Sequence, residues 1–228
     1  MKRKLRLALY IVSAFALLPV DMSAKKEILN DKDSLFTARY VFENIEPSSL
    51  EIIPKSIRLD MLDYWDVDSV FKASNIMGGL SWLNELTPEY LKVTITPVSS
   101  LEIRILPFKE SKIALTVYTV GDVPEAADSQ LKFYDDNLRE LDSKDFFEIP
   151  RIKDFFEIPK GSSTKMKEIE EMIPFPTIAY SANALSDNIE ARLTVAQYIS
   201  EDDWNIAKLF LKPFITFEWK KNKYKLEK

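Results

Sequence analysis

Between Leu91 and Phe133 apolar residues recur every second position. Leu91, Val93 and Ile95 alternate with Lys92, Thr94 and Thr96; Leu101, Ile103 and Ile105 alternate with Glu102 and Arg104; Ile113, Leu115 and Val117 follow, then Leu131 and Phe133. Successive side chains of a strand point to opposite faces, so this alternation describes half-buried strands that share one apolar face. Turn chemistry separates the runs at Pro97 to Ser100, at Lys109-Glu110-Ser111 and, after the fourth run, at Asp135-Asp136-Asn137. The reading is an antiparallel meander.

Helical spacing flanks it. Leu35, Ala38, Phe42 and Ile45 recur at intervals of three and four, and Pro47-Ser48-Ser49 stops them. A second helix is predicted near Val67 to Met77, with Val67, Val70, Phe71 and Ser74 on one stripe. Asp66 or Asp68 would cap its start and Gly78-Gly79 would end it. After the meander the plan returns. Lys165 to Met172 reads as a short charged helix with Met166, Ile169 and Ile173 on one side. Ile189, Ala191, Leu193 and Val195 alternate with Glu190, Arg192 and Thr194. Asp202 to Leu211 reads as a helix, and Ile215, Phe217 and Trp219 as a strand before the Lys221-Asn222-Lys223 turn. Ala114 to Val117 is echoed 78 residues on by Arg192 to Val195, and Leu131-Lys132-Phe133 84 residues on by Ile215-Thr216-Phe217. The expected class is α+β, antiparallel sheets covered by helices. Its finer form is two tandem helix-plus-four-strand repeats; the alternative is that short strand patterns coincide by chance.

Lys144-Asp145-Phe146-Phe147-Glu148-Ile149-Pro150 recurs nine residues later as Lys153-Asp154-Phe155-Phe156-Glu157-Ile158-Pro159. Seven identical residues in a row are a literal duplication. An odd offset sends the two Phe pairs to opposite faces of a strand, and about 900° of rotation does the same in a helix. Such insertions survive where backbone is exposed and poorly constrained. The expected organisation is therefore a signal peptide over 1–24, helices and a first meander over 25–143, a connector over 144–164 and a second antiparallel unit over 165–228. The duplication is either a tolerated loop expansion or a segment whose Phe and Ile side chains add to a partner's sheet edge.

The chain's absences exclude more chemistry than its residues suggest. It has no cysteine, no histidine and four glycines. Disulfides, thiolate or imidazole catalysis, the common zinc sites and glycine-rich phosphate loops all fall away. Lys2, Arg3, Lys4 and Arg6 precede the apolar run Leu7 to Val20, broken only by Ser13. Its fourteen residues fall short of the roughly 20 needed to cross a bilayer and match the centre of a secretory signal. Cleavage is expected after Ala24, leaving a periplasmic or secreted protein without the cysteine that lipid anchoring requires. Beyond residue 24, 27 basic residues face 35 acidic ones, a net charge of -8. That balance speaks against nucleic acid or anionic lipid as partner.

Carboxylates are the plentiful acid–base groups. Asp60, Asp63, Asp66 and Asp68 cluster beside Tyr64 and Trp65. Paired carboxylates next to aromatic rings suit glycoside hydrolysis or calcium binding, but the calcium-loop pattern fails for want of its glycine and closing acid. A solvated helix start with capping aspartates is the structural alternative. Trp65, Trp82, Trp204 and Trp219 could stack on sugar rings or pack at a core margin. Ser162, Ser163 and Lys165 are close enough for Ser–Lys chemistry but lack a strand–turn–helix setting. Asp60, Asp63, Trp65 and Trp82 are retained as binding candidates; no catalytic, metal or cofactor residue is assigned, and no cofactor is expected.

Several stretches carry a family resemblance: Phe42 to Leu50, Arg58 to Tyr64, Leu91 to Arg104 around Ile95-Thr96-Pro97, Thr116 to Thr119, and Lys212-Pro213. Together they resemble the domain of unknown function 3256 family, exported proteins of Gram-negative anaerobes. The resemblance implies no activity, cofactor or catalytic residue. It places Asp60 and Asp63 in a fold-defining segment, and the Phe-Phe-Glu-Ile-Pro duplication outside the family pattern. The functional expectation is a non-catalytic binding or interaction module of the cell envelope, acting on a protein or envelope component. A carboxylate-dependent glycan hydrolase and a carrier of an apolar ligand are the rivals.

Overall fold

A computed structural model describes residues 35–67, 71–123, 125–159 and 162–227. The expected signal peptide and its cleavage site at Ala24 lie outside the described residues. Seven strands form the first sheet in chain order: β1 (Ala73–Ser74), β2 (Leu80–Leu86), β3 (Tyr90–Thr96), β4 (Ser99–Phe108), β5 (Ser111–Asp122), β6 (Ala126–Tyr134) and β7 (Glu140–Leu141). Every neighbouring pair is antiparallel, and β4 runs against β5 from Ser99↔Val120 to Phe108↔Ser111. Asp135 makes the expected turn after β6, its Oδ1 accepting the N–H groups of Asn137 and Arg139.

One face of this sheet is covered by α1 (Ala38–Asn44) and α2 (Lys55–Asp66). Leu91, Val93, Ile95, Leu101 and Ile103 pack there against Val41, Phe42, Met61 and Leu62. Thr37 caps α1, its hydroxyl accepting the Tyr40 N–H. At the other end of α1, buried Arg58 of α2 donates to the carbonyls of Phe42 and Ile45, groups that a helix end leaves without intrahelical partners.

The other face meets a second sheet in the order β11 (Lys223–Leu226), β10 (Ile215–Lys220), β9 (Ile189–Leu193) and β8 (Ile178–Ala182). Leu106, Ile113, Leu115, Val117 and Phe133 face Tyr180, Ile189, Leu193, Phe217 and Tyr224 across that interface. Both faces of β4 and β5 are thus buried, where the alternation predicted one. Glu102 and Arg104, expected to face water, are only 4% and 5% exposed. The fold is α+β, with four helices and two antiparallel sheets among the described residues.

The predicted helix over Val67 to Met77 does not form. Helix α2 lies one segment earlier, starting after Pro54, and Asp66 ends it while pairing with Arg39. Ala73 and Ser74 instead pair with Ser81 and Leu80. Between them Asn75 Oδ1 accepts the N–H groups of Met77 and Gly79, and Gly78 takes the left-handed φ of 78°. Local side-chain bonding of this kind competes with helix. In the second half, α3 (Ser163–Met172) and α4 (Glu201–Ala207) form as expected, but α4 stops before Leu211. Leu211 makes a bridge to Phe156 instead. The second half has four strands, but α4 falls between β9 and β10, and the first half has seven strands, so neither half is a helix followed by an unbroken run of four. The echoed segments touch neighbouring strands in each sheet, but in different registers. The echo of Thr116↔Lys132 would set Thr194 opposite Thr216, a position that Glu190 holds.

The duplicated segment is a correction to the exposed-loop expectation. All four rings, Phe146, Phe147, Phe155 and Phe156, are buried. Each copy enters through a 3₁₀ turn, Ser143–Asp145 and Ile152–Phe155. In a regular helix or strand the two pairs would point apart; these irregular turns aim both pairs into the same core. The carbonyl of the first Phe does equivalent work in each copy. Phe146 accepts the Tyr224 N–H at 2.8 Å, and Phe155 accepts the Lys212 N–H at 2.8 Å.

Candidate functional site

Strand β8 is the last of its sheet, so the N–H groups on its outer side have no strand partner. Side chains of the first sheet take them. Ile178 donates to Asp128 Oδ1 at 3.2 Å, Tyr180 to Ser129 Oγ at 3.0 Å, and Ala182 to Glu102 Oε2 at 2.6 Å. Glu102 is balanced by Lys92, whose Nζ stands 2.9 Å from Oε1. Two positions along β4, Arg104 reaches the loop after β8, donating to Asp187 Oδ1 at 2.8 Å and to the Ala184 carbonyl at 3.1 Å. A buried charge is costly unless paired and hydrogen-bonded. These two are paired, and they hold the sheets together.

Beside this seam opens a cleft of about 560 Å³. One wall is β6 from Asp128 to Leu131, the next is β7 with its following turn to Lys144, and Phe147, Ile149, Pro176 and Tyr180 close it. Its apolar surfaces come from Leu131, Leu141, Phe147 and Tyr180; Asp128, Glu140 and Asp142 line it alongside Lys144. Ser143 Oγ donates to the Leu131 carbonyl at 3.2 Å and holds the turn against β6. Ile149 on the wall is 72% exposed, and Phe175, next to the lining Pro176, is 78% exposed. Burial, and next the charge of Asp128, push the Tyr180 hydroxyl well above its ordinary pKa, so it stays protonated and can only donate or accept a hydrogen bond. The arrangement offers apolar area with a few fixed polar groups, which is what a binding site needs.

The candidates named from sequence do not converge. Asp60 and Asp63 are exposed on α2. Trp65 is half-buried near the end of α2 and lines a shallow hollow with Thr37, Arg39 and Leu86. Trp82 pairs with Thr94 on the sheet face turned away from α1 and α2, with the Lys72 ammonium 4.9 Å from its ring centroid. Among the described residues no group of three or more acidic side chains could hold a metal ion. The same residues contain no helix long and apolar enough to cross a membrane. The cleft itself escaped sequence reading. Its signals were Phe147 of the duplicated motif and the Pro174-Phe175-Pro176 run, neither of which carries a chemical signature.

Known structures bear on the fold. A solved domain of an uncharacterized protein from Porphyromonas gingivalis W83 matches with a TM-score of 0.69 and 24% identity, covering 83% of this chain and 96% of that one. At that identity the likeness is one of fold. No curated protein matches the chain. The family described as protein of unknown function (DUF3256) matches residues 36–224, nearly everything described above, and the chain belongs to that family.

Proposed function

We propose that this protein is a non-catalytic binding module of the cell envelope, engaging another protein or an envelope component through the cleft beside β6 and β7. The observation that carries the reading is the cleft: about 560 Å³, open, with apolar walls, fixed polar groups and exposed apolar side chains beside it. The buried charges outside it are committed to structure, Glu102 and Arg104 between the sheets and Arg58 at the end of α1. The space between the helices and the first sheet is filled by Phe42, Met61, Leu62 and their neighbours, which speaks against an apolar carrier pocket there. Placement in the periplasm or outside the cell rests on the basic and apolar pattern of residues 1–24.

A photo-crosslinking residue at Gln130, exposed on the cleft wall, tests this in intact cells. The expected result is one defined adduct, identified by mass spectrometry and lost in Ile149→Asp. Adducts that form equally from position 64 on α2, or that ignore Ile149→Asp, would remove the cleft from the account. Cell fractionation with N-terminal sequencing tests the location; a mature chain beginning at Lys25 is expected, and an intact chain in the cytoplasm would contradict it.

A further inference from the structure

The tips of two hairpins touch at one end of the molecule. The β4–β5 turn at Lys109 and Glu110 meets the β10–β11 turn at Lys221 and Asn222, where the Lys109 N–H donates to Asn222 Oδ1 at 3.2 Å. Just behind, the Trp219 indole N–H donates to the Pro107 carbonyl at 2.9 Å. Lys109, Lys220, Lys221 and Lys225 are exposed here and Lys223 is half-buried. Lys220 and Lys223 face each other across the strand pair. The acids nearest in the chain are Glu110 and Glu218, and Glu218 is paired with Lys220. Glu148 and Asp154 share a hollow with Lys223 and Lys225, so in a chain of net charge -5 the local excess of positive charge is confined to the tips, at Lys109, Lys220 and Lys221.

The backbone of these tips marks them out. Lys109, Lys221 and Asn222 have φ of 54°, 54° and 62°, the left-handed region where a Cβ is unfavourable and glycine is the easy choice. Lysine holds two of those three positions. Aromatic rings stand behind the charges. The Lys109 ammonium lies 4.9 Å from the Phe108 ring centroid, and Trp219 packs edge-on against Tyr224 at 4.9 Å.

We infer that the paired hairpin tips are a contact site for a bilayer surface bearing anionic headgroups. Lysines on short turns can reach phosphates, and half-buried aromatic rings are suited to the headgroup level. A flat surface meets this end alone. The Debye length is about 8 Å at physiological salt, so acids on the far side of the molecule barely oppose the contact. An extended polyanion, by contrast, would run along the acidic remainder. Net charge alone argued against anionic lipid; its distribution reverses that for one end. The cleft plays no part in this inference.

Co-sedimentation of the full mature chain with vesicles is the test, using phosphatidylcholine alone and an equal mixture with phosphatidylglycerol. Binding is expected to the mixed vesicles only, and to fall steeply with added salt. Lys109→Glu with Lys221→Glu should weaken it by at least about tenfold with an unchanged far-ultraviolet spectrum. Lys55→Glu on α2, away from the tips, should leave it intact. Failure to sediment with mixed vesicles, equal binding to pure phosphatidylcholine, or binding unmoved by the tip reversals would overturn the inference. So would tighter binding to soluble inorganic polyphosphate than to the mixed vesicles.

Discussion

Glu102 Oε2 on β4 lies 2.6 Å from the backbone nitrogen of Ala182 on β8, so a side chain of one sheet takes the hydrogen that a strand partner would otherwise accept. Replacing it by glutamine keeps an acceptor but removes the charge beside Lys92. Glu102→Gln should cost about 1 kcal/mol, and Glu102→Ala, which leaves the Ala182 N–H buried and unmet, about 2–4 kcal/mol. Urea unfolding of both variants gives the order. Equal losses would mean that the N–H bond is not what Glu102 supplies.

Phe155 is fully buried, and its carbonyl holds the Lys212 N–H. Phe155→Ala should therefore cost about 3–5 kcal/mol, with faster amide exchange at Lys212. Removing residues 153–161 as a block should destabilise as well. An unchanged denaturation midpoint after that deletion would restore the loop-expansion reading.

Burial pushes up the hydroxyls of Tyr90, Tyr134, Tyr180 and Tyr224, that of Tyr134 to about 12. In the unfolded chain tyrosine releases its proton near pH 10. The stability these rings contribute is therefore whole below about pH 10 and declines as the pH rises toward and beyond the folded values. Urea midpoints from neutral to strongly alkaline pH should fall only above that threshold. Phenolate absorbance from these four rings should appear together with unfolding.

The Tyr224 hydroxyl is buried with no hydrogen-bond partner among the described residues. Tyr224→Phe removes that unmet group while keeping the ring that packs on Trp219 and Phe147. A gain of about 1 kcal/mol is expected in thermal or urea unfolding. A loss would point to a water held at that oxygen.

Lys221 occupies a left-handed position that glycine adopts freely. Lys221→Gly should raise stability by about 1 kcal/mol and lower binding to anionic vesicles. A variant that is less stable would show that lysine makes contacts at the tip which the strain argument ignores.

Strands β3 to β6 were legible because one face of each repeats at a period of two, and the helices around Phe42 and Ile169 because their stripes are apolar. Other elements were hidden for identifiable reasons. In α2 the buried stripe includes Arg58, a charged residue that breaks the apolar pattern and is buried because it meets carbonyls of α1. Strand β8 is buried at Ile178, Ala179, Tyr180 and Ala182, so it shows no alternation. Strand β2 changes register between Leu83 and Glu85, which shifts its period midway. Glu102 and Arg104 read as solvent-facing because alternation cannot reveal a second sheet lying on that side. The cleft depends on how β6, the duplicated segment and β8 come together in space, and no local spacing encodes that.

The bonds from Asp128, Ser129 and Glu102 to β8 also govern what happens if the chain is cut. A fragment expressed from Ser162 onward would carry a bare row of amide hydrogens with nothing to receive them. Such a margin recruits the margin of another molecule. The severed piece would therefore tend to clump or grow into fibres through that uncovered strand.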